Sequence, residues 1–292
     1  MPTSYSAMLM PILLCSLVVT HILNSPNSLY AQSSPITSSG LKTEVLDSDT
    51  THTIMGGTRH GTNLFHSFDT FNVPRTHIAN FQNDSGANTS NILARVTGDN
   101  PSLIFGTIRT TGFKDASLFL MNPAGIVFGP EATLNVGGSV TFTTADYLRL
   151  ATPGDAQAGF FHANPNSAPI FTSAPVTAYG FLTDNSAAIA IRGSQLSMQP
   201  DQSISLIAGK HGFSYIDPIT GQTSVPGGIT VLGGALSAPN GHINIGSIAS
   251  PGELQSTTLE PSSNIQGTSP NSFGNITLSE NAVMNTSGSK GG

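Results

Sequence analysis

The sequence is poor in charged residues, and this shortage argues against nucleic-acid binding. Charged residues make up 9% of the chain, against about a quarter in an average soluble protein. The formal net charge is −6, and no cluster of Lys or Arg is present to neutralise phosphates. The surface must therefore be covered mainly by Ser, Thr, Asn and Gln.

Cysteine is nearly absent as well. The single cysteine, Cys15, lies in an apolar block at residues 7–23 that is short for a membrane span. Leu29 and Ala31 have the spacing of a cleavage site, so we predict a secretory signal peptide over residues 1–31. Because no Lys or Arg precedes the block, an uncleaved anchor remains the alternative. The cleaved chain has no cysteine and would depend on burial, without disulfides, in an oxidising compartment.

Helix-forming Lys, Glu and Arg are scarce, whereas Thr, Val, Ile and Phe recur beside the 31 glycines and beside asparagines. This balance favours strands and turns. The length of 292 residues is enough for one large all-β domain or two small ones.

The second half of the chain repeats itself. Residues 187–209 can be laid over residues 227–249, and the pattern starts again at residues 273–288. Short alternating strands between Gly, Asn and Pro residues predict a β-solenoid whose apolar side chains stack from coil to coil. A sandwich with chance self-similarity is the alternative. The matched positions are Ile189 with Ile229, Ile191 with Val231, Leu196 with Leu236 and, after a one-residue slip, Ile204 with Ile243 and Leu206 with Ile245.

Two segments interrupt the repeat, and we interpret them as excursions from the solenoid. Residues 151–180 hold several prolines and show no clean period, which suggests a short hairpin packed on the flank of the coils. Residues 210–228 suggest a second excursion with its tip at residues 217–221.

Three ordered blocks in the first half carry a family resemblance. They are "IMGGTRHGTNLFHSFDTFNVP" (54–74), "NILARVTGDNPSLIFGTIRTTG" (91–112) and "SLFLMNPAGIVFGPEATLNVGGSVTFTTADYL" (117–148). Together they resemble the N-terminal secretion domain of filamentous haemagglutinin-type exoproteins, the two-partner secretion (TPS) family, in its cyanobacterial form. The resemblance implies an all-β, right-handed parallel β-helix (β-solenoid) with an N-terminal cap and extra-helical hairpins, which agrees with the repeat.

The same resemblance implies a partner and a location. The family is recognised by an outer-membrane transporter made of periplasmic POTRA domains and a β-barrel, and it is threaded out unfolded to the cell surface. The expected organisation is a signal peptide (1–31), a cap and first coils forming the secretion domain (32–150), and further β-helix (151–292). The end "NTSGSKGG" reads as the opening of another coil, so we expect a short, truncated or split member of the family.

One motif corresponds to the family's Asn-Pro-Asn-Gly-Ile secretion motif, and its residues here are Asn122, Pro123, Gly125 and Ile126. Asn, Pro and Gly stand at positions that a type I β-turn prefers, and Ala124 replaces the second Asn. The turn should survive this change with the loss of one side-chain amide. The family's Asn-Pro-Asn-Leu motif has no clear counterpart, although residues 164–167, "NPNS", match three of its positions.

An aromatic block should close the open end of the solenoid, because an exposed first coil would aggregate. We predict that the cap is formed by Leu64, Phe65, His66, Phe68 and Phe71. His66 is interpreted as a structural histidine bonded to backbone, rather than as a ligand. Ile104, Ile108, Leu118 and Leu120 are predicted to stack in the first true coils.

Enzymatic activity is not expected. Polysaccharide lyases and hydrolases also use parallel β-helices, but their sites need clustered carboxylates, and the acidic residues here are scattered singly. The nearest pair, Asp47 and Asp49, reads as a solvated turn. No histidine spacing suits zinc, so neither a metal nor another cofactor is predicted.

We therefore predict a secreted exoprotein whose passenger acts in adhesion or haemagglutination, through a carbohydrate or protein on a host or neighbouring cell. The alternative is a stand-alone secreted β-solenoid that binds carbohydrate or a cell surface directly. A polysaccharide lyase or hydrolase is the weaker alternative.

Overall fold

The computed structural model describes residues 36–152, 158–217 and 219–289. The predicted signal peptide, with Cys15, lies outside this range. The described residues form strands, turns and loops and contain no α-helix, and none of them forms a helix suited to crossing a membrane.

The strands are short, as the alternating repeat predicts. The first are β1 Thr37–Gly40, β2 Thr43–Ser48, β3 Thr51–Gly56, β4 Thr58–His60, β5 Asn63–Thr70, β6 Ile78–Gln82, β7 Asn91–Val96, β8 Ser102–Ile104, β9 Thr107–Thr111, β10 Ser117–Met121, β11 Ile126–Phe128, β12 Thr133–Asn135, β13 Val140–Thr143 and β14 Tyr147–Leu150. The others are β15 Gly159–His162, β16 Val176–Phe181, β17 Ile189–Arg192, β18 Gln195–Ser197, β19 Ile204–Ala208, β20 Tyr215–Ile216, β21 Thr223–Ser224, β22 Ile229–Leu232, β23 Ala235–Ser237, β24 Ile243–Ser247, β25 Gly252–Gln255, β26 Pro261–Ser262, β27 Ile276–Ser279 and β28 Val283–Asn285.

Most of these strands belong to a parallel β-helix with three faces. Face 1 contains β5, β7, β10, β13, β19 and β24. Face 2 contains β8, β11, β17, β22 and β27. Face 3 contains β3, β6, β9 and β12, then β18, β23 and β28. The chain visits faces 1, 2 and 3 in turn, so we number the coils 1 to 6 by their face 1 strand, from β5 to β24.

The register confirms the repeat. Ile189 pairs with Ile229 and Ile191 with Val231, and the pairing resumes as Ile204 with Ile243. The one-residue slip falls in the corner between faces 3 and 1, which is one residue shorter in coil 5 than in coil 4. One apolar core runs through the stack and includes the predicted Ile104, Ile108, Leu118 and Leu120. The predicted all-β parallel β-helix is therefore confirmed.

Antiparallel strands cover the first coil. On face 1, β1 and β4 pair antiparallel with β5, and β5 itself pairs parallel with β7. On face 3, β2 pairs antiparallel with β3, the first parallel strand of that face. The outer edges of the first coil are thus occupied, which protects them from pairing with another chain.

The excursions all leave the helix at the corner between faces 1 and 2. The first lies between β13 and β17, the second between β19 and β22, and the third between β24 and β27. Strands of the first and third form one antiparallel sheet, in the order β15-β14-β16-β25-β26. This sheet packs on the outside of face 1, where its Phe161 and Leu254 meet Phe65, Leu93 and Met121.

Candidate functional site

The Asn-Pro-x-Gly segment forms the corner between faces 1 and 2 in coil 3, where β10 ends and β11 begins. The Gly125 N–H donates to the carbonyl of Asn122 at 3.1 Å, which closes a β-turn. The Ala124 N–H donates to Asn122 Oδ1 at 3.0 Å, so the side chain supports the same turn. Alanine is accepted at position 124 because these bonds use only its backbone.

Asn122 is completely buried and connects three coils. Its Nδ2 donates to the carbonyl of Asn100 at 3.1 Å and to Ser102 Oγ at 2.9 Å, both in coil 2. Its backbone N–H donates to the carbonyl of Thr143, in coil 4, at 2.9 Å. A buried amide with every bond made is costly to remove, since each group left unpaired costs about 1–3 kcal/mol.

The glycine is required for two reasons. Gly125 has a φ of +119°, in a region that side chains other than glycine avoid. A Cβ at this position would also lie 2.3 Å from Cε1 of Phe213, which belongs to the second excursion. Ile126, the next residue, is fully buried in the helix core. The folded domain therefore covers most of the motif.

Pro123 and Ala124 remain half-buried and line an open cleft of about 680 Å³. Its walls come from successive corners of coils 2, 3 and 4 and from loops of the first excursion. The lining residues are 96–99, 123–124, 146, 162–167 and 182–183.

A second Asn-Pro turn lies in the same cleft. In the segment 164–167, the Asn166 N–H donates to Asn164 Oδ1 at 2.9 Å, and the Ser167 N–H donates to the Asn164 carbonyl at 3.2 Å. This hydrogen-bond pattern matches that of residues 122–125, except that Asn164 is exposed. The sequence showed the resemblance of residues 164–167 to a family motif but gave no sign that the excursion brings them to the corner.

Among the described residues, Asp99 and Asp146 are the charged side chains that line this cleft, and both are acidic. Asp146 Oδ2 accepts the Leu182 N–H at 2.7 Å, and burial raises the pKa of this carboxyl. Burial, and then the nearby Arg95, lower the pKa of His162, which disfavours a positive charge there. Sequence reasoning missed Asp146 and His162 because only the fold brings them to the cleft.

The aromatic block forms part of the first coil of the β-helix, whereas it was predicted to cover that coil. Leu64, His66 and Phe68 point into the helix from β5, and Phe71 follows them into the core. Phe65 points outward against Phe161. These residues form the first coil itself, and the covering strands are β1, β2 and β4. Pattern reasoning overlooked those strands because their sequences are largely polar.

His66 binds a hydroxyl instead of the expected backbone group. Its Nδ1 lies 3.3 Å from Thr43 Oγ1, which in turn accepts the Ser67 N–H at 3.0 Å. The Thr43 hydroxyl keeps its own hydrogen, which it can donate to a neutral imidazole whose Nδ1 is unprotonated. Burial lowers the pKa of His66 to about 4.

Asp47 belongs to a series of hydrogen-bonded side chains, whereas the sequence predicted only a solvated turn. Its Oδ1 lies 2.6 Å from His52 Nδ1, and His52 Nε2 lies 3.0 Å from His77 Nδ1. This series joins β2 and β3 to the start of coil 1's face 3 strand. Among residues 36–152, 158–217 and 219–289, no group of three or more His, Cys, Asp or Glu side chains is arranged to hold a metal.

Most of the chain can be compared with known proteins. No curated protein matches it. Among solved structures, it is similar to the crystal structure of the HMW1 secretion domain from Haemophilus influenzae, with 17% identity, a TM-score of 0.40 and coverage of 86% of this chain and 50% of that one. The chain thus spans half the length of that structure. It is also similar to the crystal structure of a filamentous hemagglutinin secretion domain, with 17% identity, a TM-score of 0.34 and coverage of 87% of this chain and 100% of the other.

A family model described as "TPS secretion domain" matches residues 31–292. The match continues well past residue 150, where sequence reasoning ended the secretion domain, and it includes the later coils. The chain therefore belongs to the TPS secretion domain family.

Proposed function

We propose that this chain directs the export of a secreted exoprotein by binding a dedicated outer-membrane transporter with POTRA domains and a β-barrel. The family match over residues 31–292 is the observation that carries the proposal. The cyanobacterial form of the family, delivery to the cell surface after cleavage of a signal peptide, and an adhesive passenger are parts of the same proposal.

Burial of the motif supports recognition before folding. Asn122 and Ile126 have no exposed surface in the folded domain, and Phe213 packs against Gly125. A transporter that contacts these residues must therefore do so before the later segments of the chain have folded over them. Recognition by an unfolded segment is compatible with β-augmentation, in which the segment adds a strand to a sheet edge.

The matched Asn-Pro turns provide the test. Full chains carrying Asn122→Ala or Asn164→Ala would be produced with and without the transporter, and exported protein would be measured. Each variant loses a side-chain bond to its own turn, but only Asn122 belongs to the proposed recognition motif. We expect Asn122→Ala to lower export at least tenfold and Asn164→Ala to leave it nearly unchanged.

Folding must be measured beside export, because Asn122 is itself part of the packed structure. The side chain of Asn122 makes three hydrogen bonds, so its replacement lowers stability even where the domain still folds. Purified Asn122→Ala should still refold to a β-rich state, with a free energy of unfolding lower by about 1–3 kcal/mol. Normal export of a destabilised Asn122→Ala chain would overturn the proposed recognition role.

The cleft favours a second candidate function, direct binding of a neutral carbohydrate. Its volume of about 680 Å³ and its amide and carboxylate lining suit a ligand rich in hydroxyl groups. Glycan-array binding that is lost in Asp146→Asn would support this function. We propose that binding there is not accompanied by catalysis, and depolymerisation of an acidic polysaccharide in a Ca²⁺-supplemented assay would contradict that.

A further inference from the structure

The outer edge of β11, a strand that begins within the Asn-Pro-x-Gly-Ile segment, gains its neighbouring strand late, as does that of β13, whose Val140 pairs with Ile204, 64 positions further along the chain. On face 1, Val140 pairs with Leu118 and follows it by 22 positions. On face 2, Ile189 pairs with Ile126 and follows it by 63 positions. The first excursion, inserted between β13 and β17, causes this difference. A chain that emerges from its N-terminus therefore presents β11 well before β17 is available.

The outer edge of β11 carries backbone groups that need hydrogen-bond partners. In the folded chain, the Ile126 N–H is directed to the carbonyl of Ala188 at 3.4 Å, and the carbonyl of Pro123 accepts the Ala187 N–H at 3.0 Å. Both partners come from the segment that leads into β17. Before that segment arrives, the edge is a template for pairing with another strand.

The side chains along this edge are apolar and uncharged. Ile126 and Phe128 point into the core, whereas Val127 points outward, where it later packs with Phe105, Ala190 and Tyr215. A partner strand would therefore be held by backbone hydrogen bonds and by an apolar contact to Val127. Binding of this kind depends little on salt, in contrast to pairing between surface charges.

We propose that a strand of the transporter pairs with the outer edge of β11 during export, and that β17 later occupies the same edge and displaces it. This inference rests on the proposed function and names the surface that the transporter uses. β17 competes as part of the same chain, so its effective concentration is high. Its Ile189 and Ile191 then enter the core, and Phe213 closes over Gly125. The displaced transporter strand can then no longer pair with β11, so its release is irreversible.

Two equivalent positions allow a direct test in cells. Val127, Ala190 and Thr230 occupy one register line on face 2, so a photo-crosslinking residue at position 127 or at position 230 samples the same outward position in different coils. Full chains would be co-expressed with a candidate POTRA-barrel transporter and irradiated during export. We expect a crosslink to the transporter from position 127 and at least fivefold less from position 230.

A proline in β17 should prolong the contact. The Ile189 N–H donates to Gly228, toward β22, so the N–H of Ala190 faces β11 by strand alternation. Ala190→Pro removes that group and should increase the crosslink from position 127 severalfold. The matched control is Thr230→Pro, which removes the corresponding N–H of β22, facing β17, and should leave the crosslink unchanged. The crosslink forms on emerging chains, so neither variant needs to complete its folding.

The outcomes separate the two proposals. Crosslinks to the transporter from other positions but not from 127, or a position 127 crosslink that Ala190→Pro leaves unchanged, would overturn the β11 edge and leave the proposed function standing. Export that proceeds equally well without the transporter, with no crosslink from any position, would overturn the proposed function itself.

Discussion

His66 is a titratable side chain enclosed in the first coil between Phe68 and Phe81. Its pKa falls from 6.5 to about 4, chiefly because burial disfavours the charged imidazolium. The unfolded chain therefore takes up this proton first as the pH falls. The contribution of His66 to stability is complete above pH 6.5 and is lost progressively between pH 6.5 and about 4.

We expect the substitution His66→Gln to weaken this pH dependence. Glutamine keeps an acceptor for the Thr43 hydroxyl but does not titrate. We expect the free energy of unfolding, measured with urea, to fall between pH 7.5 and pH 5 by about 2 kcal/mol more in the wild-type chain than in the variant. His242→Gln, at an exposed position, should lose as much as the wild type. Equal losses in all three proteins would show that His66 is not responsible.

At the scale of elements, the antiparallel sheet outside face 1 is held to itself by a buried carboxylate. Glu253 of β25 accepts a hydrogen bond from the Tyr147 hydroxyl and two from Arg149, at 3.0 and 2.8 Å. Burial, and then the hydrogen bond to Glu253, raise the pKa of Tyr147. Tyr147 and Arg149 belong to the first excursion and Glu253 to the third, so this cluster joins coil 4 to coil 6.

Glu253→Gln should loosen that junction. Arg149 would lose its charged partner while Tyr147 kept an acceptor, at a cost of roughly 1–3 kcal/mol. Hydrogen exchange should quicken in β16 and β25 and stay unchanged in β10 and β13. The matched control is Glu260→Gln, at an exposed position, and equal acceleration in both variants would contradict a specific role for Glu253.

At the scale of the whole molecule, the fold could be predicted from the sequence wherever the structure repeats. The stacking of Ile189 on Ile229 and the slip before Ile243 followed from the period alone, because each coil faces the same packing problem as the last. The third excursion was not predicted, since its Gly, Ser and Thr content resembles that of the coils. The cleft was also hidden from the sequence, because Pro123 and Asn164 line it together only after the first excursion folds back to the corner.

The predicted cap is a second case in which the sequence pattern did not reveal how the strands are arranged. An aromatic run identifies a place of dense packing, and the five residues are indeed closely packed. It does not reveal which strand lies outermost, because Thr37–Gly40 and Thr43–Ser48 carry few apolar side chains. Their position is fixed by backbone pairing with β5 and β3, a contribution that side-chain patterns leave almost unmarked.

The shared outer sheet also gives the molecule a mechanical property. In a plain solenoid, a pulling force would strip coils one at a time, because each is bonded only to its neighbours. Here β16 of the first excursion is paired with β25 of the third. Backbone hydrogen bonds therefore connect coil 4 directly to coil 6, in addition to the bonds between neighbouring coils. In an optical trap pulling on the C-terminal end, we expect coils 4 to 6 to rupture in one event, and Glu253→Gln to divide that event into smaller steps.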